Sequence, residues 1–191
     1  MESIEQRVQR VLKEEVSIVP YDPDWPKRFR EEEAHLRASL PSDLVGRIEH
    51  FGSTAVPGLR AKPIVDMLIE VGDLNATRER IAPVLEAEGY DYFWRATFGD
   101  DVPPWYAWFI KRDRPGGVRT HHLHMITTAP EFNDHWLALG FRDYLREHSE
   151  VATEYGALKM RLSAEHRHDR EAYTRAKSEF IAKVMEKAQK T

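Results

Sequence analysis

Three residues of this chain have the types and spacing to hold a divalent cation: Asp66, His122 and His124. Asp66 lies in the run Ile64-Val65-Asp66-Met67-Leu68-Ile69-Glu70-Val71, which is apolar enough to be a buried strand. Strand alternation puts Ile64, Asp66, Leu68 and Glu70 on one face and Val65, Met67, Ile69 and Val71 on the other. A carboxylate in such company must be paired, bound to a cation, or at the mouth of a sheet. His122 and His124 alternate in the same way, with Leu123 and Met125 opposite them. One carboxylate and two imidazoles with open positions suit a divalent ion; zinc, manganese or iron(II) fits that donor set best. The plainer reading of H-x-H is a pair of rings that only hydrogen-bond to backbone or meet phosphate directly. His50 is a further candidate, as a ligand or a general base.

A second group points to phosphate. Gly52-Ser53-Thr54 breaks an apolar run and can offer backbone N–H groups and hydroxyls to an anion. Its alternative is a glycine-led turn whose hydroxyl caps a helix. Lys62 precedes the Asp66 strand and could neutralise the same ligand. Further on, Tyr155 with Lys159 and Tyr173 with Lys177 are i,i+4 pairs, so each pair shares a helix face. A ring that stacks on a base beside an ammonium that meets phosphate is a workable nucleotide grip, and Arg142 stands on the preceding helix. Against this stands a core tyrosine with a snorkelling lysine. Trp94, Trp105 and Trp108 are candidate pocket walls or core.

The elements that must position these groups read as follows. Residues 2–15 form an amphipathic helix through Ile4, Val8, Val11 and Leu12. Val16 to Pro20 is extended, and Asp24 caps a helix, with Pro26 in its first turn, that runs to about Leu40. Strands are expected over Leu44 to Phe51, Pro63 to Val71, Tyr90 to Trp94, Trp105 to Lys111 and Thr120 to Thr127. Asp73 to Glu88 is a helix capped by Asn75, interrupted by Pro83 and stopped by Gly89. Arg114-Pro115-Gly116-Gly117 turns a hairpin, and the loop Thr97 to Pro104 is exposed. Helices fill about 131–146, 148–165 and 169–188, the last capped by Asp169. The fold class is α+β, a mixed sheet of about five strands flanked by helices, with a helical C-terminal part. The predicted organisation is an N-terminal helix over 1–15 and one domain over 16–191, with the sheet core in 16–128 and the helical part in 129–191.

The string H-F-G-S-T-A-V-P-G-L-R-A-K-P-I-V-D-M, residues 50–67, resembles the GrpB family. A Gly-Ser turn followed at this distance by a strand carrying Asp is similar to the fingerprint of the nucleotidyltransferase superfamily. The resemblance continues through 122–125, 141–146, 155–159 and 169–181, and so spans roughly 16–185. It implies a nucleotidyltransferase-like sheet in which Ser53 and backbone amides hold a triphosphate, Asp66 holds a metal, and Lys159 or Lys177 meets phosphates. The sequence departs from the active pattern at Leu68, where a second acid would stand. Glu70 is about 13 Å from Asp66 along an extended strand, too far to share one ion. The resemblance therefore leaves three readings. One is nucleotidyl transfer to a small-molecule acceptor with magnesium, manganese or zinc. Another is binding of a nucleotide or phosphometabolite without transfer. The third is metal-dependent hydrolysis through Asp66, His122 and His124.

Composition narrows the partners. The chain has 191 residues, 41% hydrophobic and 31% charged, as expected of one ordinary globular domain. It has no cysteine, which removes disulfides and thiolate ligands or nucleophiles. A net charge of −4 argues against a broad grip on nucleic acid and leaves room for a local basic pocket around a phosphate-bearing small molecule. No run suits a membrane span and the N-terminus lacks a secretory core, so a cytoplasmic location is expected.

Overall fold

The computed structural model describes residues 10, 14–97 and 102–189. The helix expected over 2–15 falls almost wholly outside these, as does the middle of the loop Thr97 to Pro104. The described elements are helix α1 (Trp25–Ser39), strands β1 (Val45–Phe51) and β2 (Val65–Val71), and a second helical segment. Strands β3 (Asp91–Ala96), β4 (Trp105–Arg112) and β5 (Arg119–Ile126) follow, then helices α3 (Asn133–Glu147), α4 (Ser149–Glu165), α5 (Arg170–Ala176) and α6 (Ser178–Ala188). Helix α2 is that second segment, built from Leu74–Ala76, a π turn Thr77–Ile81 and Ala82–Ala87. Pro83 cannot donate to the carbonyl four residues back, and the wider turn just before it has Ala82 donating to the Thr77 carbonyl instead.

The strand order is β1-β2-β5-β4-β3, with β2 and β5 parallel and every other neighbour antiparallel. This is the mixed five-stranded α+β architecture expected, including the β4–β5 hairpin. Three local details differ. Asp73 rather than Asn75 caps α2, accepting from the Ala76 N–H at 2.6 Å, because Asp73 has the extended backbone a cap requires. Asp24 is already helical and makes no side-chain cap; Asp22 Oδ1 accepts the Asp24 N–H at 2.9 Å. The single helix expected over 169–188 is two, separated at Lys177.

The pleat divides the sheet into two faces. On one, Met67, Ile69, Phe109, Leu123 and Met125 meet Trp25 and Leu36 of α1 and Ile81 and Leu85 of α2, all fully or almost fully buried. Glu32 of α1 is buried here as well, and is tolerated because the Tyr90 hydroxyl and the Lys111 ammonium both donate to it. On the other face a smaller cluster forms around Leu68, Tyr106, Trp108, Ile110 and Ile126, covered by Phe132 and partly by Trp136 and Leu139. This cover stops short of the N-terminal ends of β2 and β5. Helices α3 to α6 pack on one another and on the loop after β1 through Val56, Leu59, Leu145, Tyr155 and Phe180.

Candidate functional site

Parallel pairing sets Asp66 beside His122 and Leu68 beside His124. Asp66, His122 and His124 therefore share the partly open face. One donor atom from each lies within 4.8 Å of the others. Asp66 Oδ1 and His122 Nδ1 are 3.0 Å apart. Two donors on one tetrahedral ion sit about 3.3 Å apart, so this pair is already at chelating distance and His124 needs only a small ring movement. The Tyr106 hydroxyl is 3.2 Å from His124 Nδ1, which suits it to orient that ring while Nε2 turns to an ion. Arg119 approaches His122 Nε2 at 3.4 Å, so His122 carries its proton on Nδ1 and donates to Asp66.

Burial pushes the His122 ring down to about 4, against the opposing pull of Asp66, and lowers His124 as well. Both are thus neutral at pH 7, the form that ligates metal. Asp66 is held at about 2: burial opposes ionisation, but the His122 hydrogen bond and the positive groups around it prevail. Phe51 meets the His124 ring edge-on at 5.2 Å and Trp108 lies 5.1 Å from His122, so aromatic side chains border the group. Trp94 and Trp105 line a separate cavity with Leu74 and Phe132.

Gly52 closes the site from β1. Its φ is +69°, and a Cβ there would lie 2.7 Å from Asp66 Oδ2. Both the left-handed backbone and the close approach exclude a side chain, so the loop backbone lies directly against the carboxylate.

The basic residues gather on the same side. Lys62 Nζ is 5.8 Å and Lys177 Nζ 4.4 Å from the Tyr173 ring centre; Lys159 Nζ is 4.7 Å from that of Tyr155. Lys159 also donates to the Arg60 carbonyl and is 2% exposed. Burial first, and repulsion from neighbouring lysines second, push Lys62 and Lys159 down to about 7; burial, opposed by Asp66 and aided by Arg170, brings Lys177 to about 8. Among the described residues, none of the three makes a carboxylate ion pair. The break between α5 and α6 is what carries Lys177 round to the lysines of the β2 loop and α4.

Other residues singled out from the sequence have different places. His50 points to the opposite sheet face, pairing in register with Met67, stacking on Phe29 and facing Thr54 Oγ1 at 3.0 Å. It is no ligand of the Asp66 group, because one residue along a strand reverses the side chain. Thr54 is 1% exposed and donates to the Ile64 carbonyl, so it braces the turn. Tyr173 is 1% exposed and serves as a floor beneath two ammonium groups, not as an open platform for a base. Arg142 is spent on structure, donating to the His50 carbonyl at 2.8 Å, to Glu49 at 2.9 Å and to Asp143 at 2.7 Å. Arg142→Ala should therefore cost about 2–3 kcal/mol of folding stability by denaturant titration while leaving phosphate affinity within about twofold. A large loss of affinity at unchanged stability would place Arg142 in the site after all.

Sequence reasoning passed over Arg119, Arg170 and Glu14. Only the fold brings Glu14 within 3.3 Å of Arg170 and against Arg119.

The comparisons with known proteins agree with this architecture. The family model described as "GrpB protein" matches residues 15–187. The UPF0157 protein PA4798 of Pseudomonas aeruginosa is 39% identical over 184 residues, 96% of this chain and 72% of that protein. The UPF0157 protein YqkA of Bacillus subtilis is 35% identical over 179 residues, 93% of this chain and 48% of that one. The crystal structure of the conserved protein GrpB from Enterococcus faecalis superposes with a TM-score of 0.76 at 33% identity, covering 91% of this chain and 98% of that one. This chain belongs to the GrpB family.

Proposed function

We propose that this protein binds a nucleotide or another phosphorylated small molecule at Lys62, Lys159, Lys177 and Ser53, with one divalent ion on Asp66, His122 and His124. The observation that carries the reading is the convergence of three lysines, with no carboxylate ion pair among the described residues, on the side of the sheet that bears an ionised Asp66. Like charges brought together at a cost in solvation are what a phosphate-bearing ligand would relieve. The donor set of one carboxylate and two neutral imidazoles fits zinc, manganese or iron(II) better than magnesium. Such an ion would supply Lewis acidity to a phosphate oxygen, while the lysines hold the charge and Gly52 lets backbone approach.

Leu68 bears on whether chemistry follows. It is fully buried against Tyr106 and Trp108, so the second carboxylate of a two-metal displacement is absent from that position. Binding is accordingly the primary reading. Nucleotidyl transfer and hydrolysis of a phosphoester are activities that one ion and the lysines would have to support alone.

The test is a thermal-unfolding screen of nucleotides, coenzyme A and phosphorylated sugars, each with and without zinc, manganese and magnesium. A ligand at 100 times its Kd adds about 2.7 kcal/mol to the folded state, a shift of several degrees. A shift that needs both phosphate and metal supports the site as drawn. No shift with any phosphorylated compound would overturn it.

A further inference from the structure

The lysine cluster does not end the run of positive charge. Arg170, the first residue of α5, depresses the basicity of both Lys62 and Lys177, and Arg119 does the same to Lys62, so these cations lie close together. Beyond them stand Arg119 and Arg112, whose side chains are each 4% exposed. Arg112, Arg119 and Arg170 converge on one carboxylate, that of Glu14. Its Oε1 is 2.9 Å from Arg112, and its Oε2 contacts Arg119 and lies 3.3 Å from Arg170. Three guanidiniums thus meet at Glu14, and Arg112 also reaches Asp91 at 2.9 Å.

Glu14 comes from the segment just ahead of the residues the family model matches, 15–187, whereas all three arginines lie inside that match. Arg10 of the same segment is pinned to Asp91, which also receives Arg112. The carboxylate is thus a short, charged insertion into a cradle built by β4, β5 and α5. Planar guanidiniums in this arrangement bind a phosphate at least as well as a carboxylate.

We propose that Arg112, Arg119 and Arg170 form a second anion subsite, which takes a distal phosphate of a polyphosphate-bearing ligand, and that Glu14 occupies it until that phosphate displaces it. The inference extends the phosphate-binding reading from one anionic group to a lane of them, running from the lysines to the arginines. The ligand class this selects is a di- or triphosphate, with a monophosphate gaining nothing from the second subsite. Glu14 lowers the apparent affinity by the fraction of molecules in which the cradle is filled.

Inorganic triphosphate and orthophosphate, titrated calorimetrically, separate the parts. Glu14→Gln should tighten triphosphate about tenfold, and adding Arg170→Gln should abolish the gain. In the unaltered protein, triphosphate should also speed tryptic cleavage after Arg10, a readout that requires no variant to fold. Unchanged triphosphate affinity in Glu14→Gln, with no ligand effect on cleavage, would make Glu14 a structural strut and overturn the inference. If Lys62→Ala with Lys177→Ala weakens orthophosphate while Glu14→Gln changes nothing, only the second subsite falls. If the lysine pair leaves orthophosphate unchanged while Glu14→Gln tightens triphosphate, the lysine reading falls and the arginine subsite stands.

Discussion

Asp66→Asn should lower the affinity for zinc by about 100-fold or more, because loss of a supporting group alone costs 10- to 100-fold and this change removes a charged ligand. The substitution keeps an acceptor for His122 Nδ1–H, whose distance to Asp66 Oδ1 is 3.0 Å, so the sheet end stays intact. The check is competition against a chromophoric chelator at pH 7, followed by metal analysis of the dialysed proteins. One equivalent in the unaltered protein and none in Asp66→Asn is the expected result. Equal metal in both would show that the carboxylate and the two imidazoles are a hydrogen-bonded cluster and nothing more. Neutral histidines make the result insensitive to pH between 6 and 8, since burial holds the His122 ring near 4.

Much of this site was legible in the sequence, because strand periodicity fixes sides. Asp66, His122 and His124 alternate with Met67, Leu123 and Met125, and the register that joins β2 to β5 only had to match one face to the other. The strands, the hairpin and the order of helices followed from the same local patterns. Side chains that depend on a turn were not legible. His50 is one residue before Phe51, and that single step sends it to α1 while Phe51 reaches His124. Nor could the pattern distinguish an arginine that binds ligand from one that ties β1 to α3, since Arg142 and Lys159 sit in equally regular helices. Only the partners of Arg142, at Glu49 and the His50 carbonyl, separate the two. The arginine cradle was invisible for a related reason. Glu14 and Arg170 are 156 residues apart, and nothing local announces their contact.

Anion binding should be accompanied by proton uptake, and the lysines provide the largest expected pH effect. Lys62 and Lys159 stand near 7 and Lys177 near 8 in the folded protein, against an ordinary value of 10.5. Between pH 8 and 10 the unfolded chain therefore binds more protons than the folded one at these three positions, so their contribution to stability rises with pH across that window. It is most unfavourable below 7, where all three carry charge in both states. A phosphate group placed among them reverses the balance by favouring the ammonium forms. Calorimetry of a bound phosphate compound at pH 8, in buffers of different ionisation enthalpy, should show uptake of on the order of one proton per ligand. Affinity should fall as pH rises from 7 to 9, and Lys62→Ala with Lys177→Ala should weaken binding by about 100-fold and remove most of the uptake, because two charge-assisted contacts are lost. Binding with no proton uptake, and unchanged in the double variant, would mean the ammonium groups never meet the ligand. The three lysines would then be charges confined beside Tyr155 and Tyr173, held by the fold at a cost to its stability near neutral pH.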